Sequence, residues 1–427
     1  MPIDRRDFIK AAGAIGLIGR PALALGNAAK VVVVGGGTGG ATAAKTIKRL
    51  DPKIEVTLIE PAPHYYTCYM SNEVLDGSRT LKGIQVSYDG LERHGIRLVH
   101  DRAAAIDPDK RLVRTANGPA FAYDRCIVAP GIDFRYEEIT GYDETASGLM
   151  PHAWKAGAQT HLLRAQLEAM ADGGTVVIAT PPNPFRCPAG PYERASLIAG
   201  YLERHKPRSK VLVLNAEPNF VMEPLFVQAW ERLYGYGTDK ALVEWLPGPG
   251  ARVTRAEPEK RLVETQGGDQ FEAAVVNLIP PQRAGTIARL AGLTDESGWC
   301  PVDLRTFESR LHQGIHVIGD ACIATTMPKS GSAANSHGKV AAGAIVALLA
   351  GREPPVPIYA NTCYSIVGEQ YGISTDSVYK LAAAGAPILP VPGGGGVTPL
   401  NAPAWALARE VEYAHGWYNN LVSDSFG

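Results

Sequence analysis

The sequence lacks a long apolar run, a marked net charge, and the cysteine spacings of common metal and haem sites. No uninterrupted apolar stretch reaches the roughly 18 residues needed to span a bilayer, which excludes an integral membrane protein. The net charge of −1 disfavours a nucleic-acid binder, because such proteins neutralise phosphates with excess basic residues. No Cys-x-x-Cys-His occurs, so we expect no c-type haem on this chain. No Cys-x-x-Cys pair or His/Cys spacing indicates zinc or another metal.

The composition is that of a globular protein with several hydrophobic cores. Hydrophobic residues make up 45% of the 427 residues and charged residues 20%. This balance excludes disorder throughout the chain, and the length predicts roughly two to four domains. The sequence contains 46 glycines and 32 prolines. Such an excess without a repeat predicts many tight turns and loops.

The first 29 residues have the pattern of an export signal. The segment Arg5–Lys10 reads RRDFIK, and a weakly apolar stretch and small residues follow it, with a cleavage region between Ala24 and Ala29. Paired arginines before a mild hydrophobic stretch are typical of the twin-arginine route. An amphipathic first helix is the alternative. The signal predicts export to the periplasm, a compartment that permits disulfides.

A glycine motif follows the first strongly apolar segment. Residues 30–40 read KVVVVGGGTGG, in which four valines predict a buried parallel strand before a helix. Gly35, Gly37 and Gly40 have the Gly-x-Gly-x-x-Gly spacing of dinucleotide-binding turns. A second apolar strand ends at Glu60, in the position of the carboxylate that binds a ribose hydroxyl. These residues predict a dinucleotide at the N-terminus of the helix.

A later segment indicates that this dinucleotide is FAD. Residues 316–321 read HVIGDA, a short strand that ends in Gly319-Asp320, and a helix of small residues is predicted over 331–349. The segment resembles the second FAD motif of flavoproteins with two dinucleotide-binding domains, whose aspartate binds the ribityl chain. Residues 126–131, CIVAPG, are similar to the intermediate strand motif of the same proteins.

A second dinucleotide domain is predicted without its nucleotide motif. Residues 173–179 (GGTVVIA) read as a buried strand, and further strands are expected over 210–214 and 274–279. A glycine-rich turn should follow the first of these strands, but the chain reads TPPNPFRCPAGPYER there. Prolines remove amide donors and bulky residues block the approach of a pyrophosphate. We therefore predict a flavoprotein that a nicotinamide nucleotide does not reduce.

Three of the six cysteines lie in segments with chemical cues. Cys68, in HYYTCYMSN, lies where the chain should pass the flavin ring, and it is either covalently linked to the ring or a buried thiol. Cys187 lies in the proline-rich loop and Cys363 in NTCYS. They form a redox pair near the flavin, a structural disulfide, or two free thiols. A structural role is expected for the remaining cysteines, which are Cys126, Cys300 and Cys322.

Together these segments resemble the flavin subunit of flavocytochrome c sulfide dehydrogenase, a family related to sulfide:quinone oxidoreductase. The likeness runs from about residue 30 to the C-terminus, and its most distinctive segments are YYTCYMSN and FRCPAGPYERAS. The resemblance implies that Cys68 carries FAD as a thioether and that Cys187 and Cys363 form a redox-active disulfide. It also implies that Glu193 is an active-site acid/base. The implied substrate is sulfide or polysulfide, and the implied partner is a c-type cytochrome subunit that alone carries haem c. Trp417 is expected near the flavin, with a core aromatic as the alternative.

We therefore predict an α/β protein with two Rossmann-like dinucleotide-binding domains of the disulfide-reductase type and a C-terminal interface domain. The signal peptide covers 1–29, and the FAD domain combines 30–155 with 285–355. The NAD-like domain without a nucleotide motif covers 156–284, and the C-terminal domain covers 356–427.

The sequence is compatible with three alternative functions. A sulfide:quinone oxidoreductase would need an amphipathic stretch that docks on a membrane. Residues 382–403 are instead small, apolar and rich in proline and glycine, so we predict a linker or loop there. An NAD(P)H-dependent reductase is disfavoured by the missing second glycine motif. An exported flavoprotein that only relays electrons is disfavoured by the two well-placed cysteines.

Overall fold

The computed structural model describes residues 28–383 and 385–427, so the predicted export signal lies almost entirely outside the described residues. The strands in chain order are β1 (Lys30–Val34), β2 (Glu55–Ile59), β3 (His64–Tyr66), β4 (Gln85–Ser87), β5 (Arg97–Val99), β6 (Ala103–Asp107), β7 (Leu112–Thr115), β8 (Ala120–Ala122), β9 (Arg125–Val128), β10 (Ile132–Phe134), β11 (Thr175–Ala179), β12 (Lys210–Asn215), β13 (Val243–Pro247), β14 (Val253–Glu257), β15 (Leu262–Thr265), β16 (Gln270–Glu272), β17 (Val275–Leu278), β18 (Gln282–Ala284), β19 (Ile315–Val317), β20 (Ile358–Gly368), β21 (Tyr371–Leu381) and β22 (Ile388–Val397). The α-helices are α1 (Thr38–Leu50), α2 (Asn72–Asp76), α3 (Asp89–Arg93), α4 (Ala158–Ala169), α5 (Gly190–His205), α6 (Glu223–Tyr234), α7 (Thr286–Leu290), α8 (Gly331–Leu349) and α9 (Ala404–Phe426).

The first sheet is parallel and has the strand order β19-β9-β1-β2-β5. The four valines of β1 are all buried, as a strand covered on both faces requires. Helix α1 follows β1 and packs closely on α8, so that a Cβ on Gly338 would lie 2.7 Å from the Gly39 carbonyl oxygen. The small residues of α8 are thus explained by this close helix contact. The two predicted FAD segments follow β1 and β19 of this one sheet, with β9 between them.

The central part of the chain forms a second parallel sheet with the order β13-β12-β11-β17. An antiparallel sheet, β14-β15-β16, accompanies it, as β6-β7-β8 accompanies the first sheet. The antiparallel pair β10 and β18 joins the two halves. The predicted α/β class with two Rossmann-like halves is therefore confirmed.

The C-terminal part is an antiparallel sheet, β20-β21-β22, packed against α9. The prediction of a linker or loop over 382–403 is wrong, because β22 pairs with β21 there. Strand β22 is at the sheet edge, where proline is tolerated since its missing N–H is not needed. Gly395 allows a close backbone approach, because a Cβ there would lie 2.2 Å from the Asp376 carbonyl oxygen.

In the described ranges, no helix combines the length and apolarity needed to cross a membrane.

Candidate functional site

The predicted dinucleotide turn has the backbone geometry that only glycine permits. Gly35 has φ +100°, and a Cβ there would lie 2.3 Å from the Ala129 carbonyl oxygen. A Cβ on Gly40 would lie 1.9 Å from the Gly35 carbonyl oxygen. Gly37 immediately precedes α1, and within the described ranges a Cβ there would meet only the Tyr65 ring, at 3.6 Å. The turn therefore leaves the N-terminus of α1 open to a phosphate group.

Glu60 lies at the end of β2 beside this turn. Its carboxylate accepts hydrogen bonds from the backbone N–H of Gly36 (2.8 Å) and of Ala62 (3.0 Å). The carboxylate is thus fixed next to the glycine turn, as a ribose-binding acid requires.

Asp320 provides a direct test of whether the residues fit FAD. Its Oδ1 atom is buried and has no hydrogen-bond partner among the described residues, and its Oδ2 lies 3.7 Å from the Arg186 guanidinium. Gly319 before it has φ +72°. An unpartnered buried carboxylate oxygen is costly unless a ligand hydroxyl satisfies it. The residues present therefore fit a ribityl chain at Asp320, as predicted.

Cys187 lies in a strained turn that leads into α5. Its φ is +57°, a left-handed conformation that is uncommon for a side chain with a Cβ and that is concentrated at functional sites. The Cys187 amide donates to the Lys329 carbonyl (2.7 Å), which ties the turn to the start of α8. Burial raises the pKa of the Cys187 thiol, and Cys363 and Glu193 raise it further.

Cys363 faces this turn from β20. Its sulfur accepts a weak hydrogen bond from the Asn361 side-chain nitrogen (3.6 Å) and donates one to the Asn361 side-chain oxygen (3.7 Å). The Ser330 hydroxyl, just before α8, donates to the same oxygen at 2.6 Å. Burial raises the pKa of the Cys363 thiol. All six cysteines are free thiols in this structure, so the bridge between Cys187 and Cys363 stays a prediction.

Cys68 lies near Cys187, Cys363 and Glu193, and these four residues form the cysteine cluster of the site. It lies in the turn after β3, and its carbonyl accepts a hydrogen bond from the Ser71 hydroxyl at 2.6 Å. A charge on Cys68 raises the pKa of Arg186 and the pKa of Cys187, which places the three side chains within electrostatic reach of each other. The thioether to FAD stays a prediction.

Glu193 lies in the first turn of α5 and points into the cluster. Its carboxyl accepts hydrogen bonds from the Asn72 side chain (2.7 Å) and from the backbone N–H of Ile366 on β20 (2.9 Å). Burial raises the pKa of Glu193 to about 7, although these two hydrogen bonds lower it. A surface carboxylate paired with Arg194 is therefore excluded. Such a group can hold or release a proton at neutral pH.

Arg194, Asn72 and Trp154 are part of the site but were not predicted from the sequence. The Arg194 guanidinium lies 4.8 Å from the Trp154 ring centroid and donates to Asn72 at 3.0 Å. No local pattern marks these residues, because they meet only through contacts between α5, α2 and the segment before α4.

The carboxyl ends of the central strands are filled by side chains where a second nucleotide would bind. Tyr192 donates to the Asn215 side chain at the end of β12 (2.8 Å) and stacks on Phe220 with ring centroids 3.5 Å apart. Beside the proline-rich loop lies a cavity of about 550 Å³, lined by Phe185, Gln282 and Trp299 among others. The strand scaffold of a nucleotide domain is present without its glycine turn.

Trp417 packs among aromatic side chains, and the three other cysteines are buried. Trp417 on α9 packs edge-on against Tyr69 (5.6 Å between ring centroids) and lies 5.9 Å from Tyr364. It thus lies one aromatic ring away from the Cys68 turn. The remaining cysteines are buried, and they are Cys126, Cys300 and Cys322. Within the part of the chain that the structure describes, no group of three or more His, Cys, Asp or Glu side chains is arranged to hold a metal ion.

Comparison with known proteins places these features in a family. Residues 160–280 match the model of the central part of the sulfide dehydrogenase [flavocytochrome c] flavoprotein chain. Residues 355–426 match the flavin-binding model of flavocytochrome c sulphide dehydrogenase, and residues 29–179 match the pyridine nucleotide-disulphide oxidoreductase model.

Individual relatives agree with these models. The sulfide dehydrogenase [flavocytochrome c] flavoprotein chain of Chlorobaculum thiosulfatiphilum is 58% identical over 45 residues, which are 10% of this chain and 94% of that sequence. Mitochondrial sulfide:quinone oxidoreductase of Mus musculus is 24% identical over 326 residues, 72% of this chain and 68% of the relative. The crystal structure of the Aquifex aeolicus sulfide:quinone oxidoreductase has a TM-score of 0.70 at 20% identity, covers 93% of this chain and 92% of that one, and shows the fold. The chain therefore belongs to the flavocytochrome c sulfide dehydrogenase and sulfide:quinone oxidoreductase family, and it is a sulfide-oxidising, FAD-binding flavoprotein.

Proposed function

We propose that this protein is a periplasmic sulfide dehydrogenase that uses Cys187 and Cys363 as a redox disulfide and passes electrons to a c-type cytochrome. The observation that carries the proposal is the convergence of these two thiols with the Glu193 carboxyl, whose pKa is raised to about 7 by burial. Cys68 in the same cluster is the proposed attachment point of FAD. This arrangement suits thiol–disulfide chemistry next to a flavin better than a purely structural disulfide.

The proposed reaction begins at the bridge between Cys187 and Cys363. Hydrosulfide attacks one sulfur, the S–S bond breaks, one cysteine leaves as a thiolate, and the other carries a persulfide. A second hydrosulfide attacks the outer sulfur of the persulfide and leaves with it as hydrodisulfide (HSS⁻). The bond from this sulfur to the cysteine breaks, so both cysteines are then thiolates. Bound FAD supplies the two-electron acceptor for re-forming the bridge and the conversion to single-electron transfer. The substrate sulfur is thus oxidised while the cysteines return to their starting state.

Glu193 is proposed to hold the proton that this cycle moves. A carboxyl with a pKa of about 7 is present in both protonation states at neutral pH. Its hydrogen bonds to Asn72 and to the Ile366 N–H fix it between α2 and β20, the strand that carries Cys363. Glu193 itself lies one turn of α5 beyond the Cys187 turn. It can therefore protonate a leaving thiolate and later accept a proton from the incoming substrate.

A surface groove next to Trp417 supports the proposed cytochrome partner. The groove has a volume of about 620 Å³ and is lined by Tyr364, Tyr413 and Trp417 together with Ser332 at the start of α8. Trp417 contacts Tyr69 on its inner side, so aromatic rings extend from the Cys68 turn to the surface. The proposed partner carries haem c, and this chain carries the flavin.

A quinone acceptor is the second candidate, since curated relatives are sulfide:quinone oxidoreductases. Large apolar side chains are exposed in the C-terminal region, where a lipid surface or a partner could cover them. They are Val356, Ile358, Leu389, Val397, Leu400 and Trp405. Sulfide-driven reduction of a soluble c-type cytochrome, compared with that of a short-chain quinone, separates the two acceptors. Fast cytochrome reduction at the same protein concentration supports the proposal, and exclusive quinone reduction contradicts it.

Two further experiments test the remaining parts of the proposal. Sulfide should bleach the flavin of the isolated subunit while NADH should not, and the opposite result would indicate a nicotinamide-dependent reductase. Replacing Arg5 and Arg6 with lysines should abolish export of the folded protein to the periplasm if the twin-arginine signal operates. Unchanged export would contradict the proposed route.

A further inference from the structure

Arg194 is a buried cation whose hydrogen-bond partners in the described part of the chain include no counter-ion. Its side chain is 2% exposed. The guanidinium donates four hydrogen bonds, and all acceptors are neutral oxygens, namely the side-chain amides of Asn72 and Asn277 and the carbonyls of His152 and Ala153. Burial lowers the pKa of Arg194 to about 10, so the group is charged at neutral pH. An unpaired buried charge is costly, which calls for a reason for its presence.

The position of this charge is fixed relative to Cys187. The Trp154 ring lies under the guanidinium at 4.8 Å, and the Trp154 indole N–H donates to the Arg186 carbonyl at 3.1 Å. A Cβ on Gly190 would lie 2.8 Å from the Trp154 ring and 3.1 Å from the Cys187 sulfur. The Trp154 ring therefore links the two groups, because it stacks on the Arg194 guanidinium and borders the same glycine as the Cys187 sulfur.

We propose that Arg194 is a positioning residue whose permanent charge favours the thiolate of Cys187 over the thiol. The proposal rests on the proposed function only in treating Cys187 as a reacting thiol. Arg186 also opposes the burial that raises the pKa of Cys187, but its guanidinium lies 3.7 Å from the Asp320 carboxylate, whereas Arg194 has only neutral hydrogen-bond partners. Negative charges on Cys187, Glu193 and Cys68 stabilise charged Arg194, and by linkage Arg194 stabilises them to the same extent.

The charge acts on the reaction through the bridge and not by contact with substrate. When hydrosulfide opens the bridge between Cys187 and Cys363, the bridge accepts two electrons from it and one cysteine becomes a negatively charged thiolate. A fixed cation stabilises this reduced form, so Arg194 makes the disulfide a better oxidant for hydrosulfide. Since the Arg194 hydrogen bonds are taken by protein oxygens, its effect is electrostatic.

The direct test is the pH dependence of Cys187 alkylation in the reduced, FAD-loaded protein. Iodoacetamide reacts with the thiolate, and mass spectrometry of the Cys187 peptide reports its rate. Arg194→Met should lower the rate at pH 7 on the order of tenfold and move the profile to higher pH, whereas Arg194→Lys should retain most of the rate. Arg164→Met is the matched control. It also removes a cation stacked on an aromatic ring, since the Arg164 guanidinium lies 4.4 Å from the Tyr201 ring centroid, but this pair is not part of the cysteine cluster.

A second variant keeps the test decisive if Arg194→Met does not fold. Asn277→Asp places a carboxylate 2.8 Å from the guanidinium and neutralises its charge while the arginine stays in place. The alkylation profile of Cys187 should again move to higher pH. Wild-type profiles in both folded variants would overturn the inference even if sulfide oxidation proceeds. A profile shifted to higher pH supports the inference even if neither the variants nor the wild type oxidises sulfide. In that case only the proposed function fails.

Discussion

The proposed role of Glu193 gives the sharpest prediction, because burial raises its pKa into the physiological range. Its pKa rises from the ordinary 4.5 to about 7, which increases the ratio of protonated to ionised carboxyl at pH 7 by about 300-fold. Glu193→Gln keeps the shape of the side chain but cannot release a proton. We expect the rate of sulfide-driven flavin reduction to fall by roughly 10²- to 10⁴-fold, the usual contribution of a positioned acid or base.

The pH dependence of the rate of flavin reduction tests this assignment most directly. The wild type should show an inflection near pH 7 in anaerobic stopped-flow traces of flavin absorbance, and Glu193→Gln should lose it. Asn72→Ala removes a hydrogen bond that favours the carboxylate, so the inflection should move to higher pH. A variant Glu193→Gln with the wild-type inflection would refute the assignment, since another group would then titrate.

The same pKa shift also predicts a change in stability. Because the folded pKa is above the unfolded value, the favourable contribution of protonated Glu193 is complete below about pH 4.5 and is lost as pH rises through about 7. The wild type should thus lose up to about 3 kcal/mol of unfolding free energy relative to Glu193→Gln over this range. Urea denaturation at pH 5 and pH 8 measures the difference, and an equal gap at both pH values would contradict it.

Other predictions concern the cysteines and the glycine turn. Cys187→Ser should abolish sulfide-driven flavin reduction while covalent FAD is retained, and undiminished turnover would refute the disulfide mechanism. Cys68→Ala should release FAD into the supernatant after acid precipitation, whereas the wild-type pellet should stay yellow; colour in both pellets would exclude the thioether. Gly40→Ala should abolish FAD binding or folding, because its Cβ would lie 1.9 Å from the Gly35 carbonyl oxygen, and normal flavin content would contradict this reading.

The fold was largely predictable because its main elements carry strong local patterns. The valines of β1 and the small residues of α8 have no alternative to a buried strand and a closely packed helix. The C-terminal sheet was not predicted over β22, because edge strands accept proline and glycine, the residues that normally mark loops. Its pairing depends on β21, a neighbour that local composition does not reveal.

The candidate site was predictable in its residue types but not in its electrostatics. The resemblance named Cys68, Cys187, Cys363 and Glu193, and the structure brings the four together. The bond from Glu193 to the Ile366 N–H arises where α5 meets β20. The charge of Arg194 is held among neutral acceptors on α2, on β17 and in the segment before α4. Contacts between elements so distant in the chain leave no pattern in the sequence.

The central claim is that sulfide is oxidised at the bridge between Cys187 and Cys363. The most direct measurement is to add one equivalent of sulfide anaerobically, quench rapidly in acid with an alkylating agent, and analyse the two cysteine peptides by mass spectrometry. The account predicts one additional sulfur atom on one of these cysteines and an alkylated thiol on the other, formed before the flavin is fully reduced. Complete flavin reduction with no additional sulfur on either peptide would contradict it.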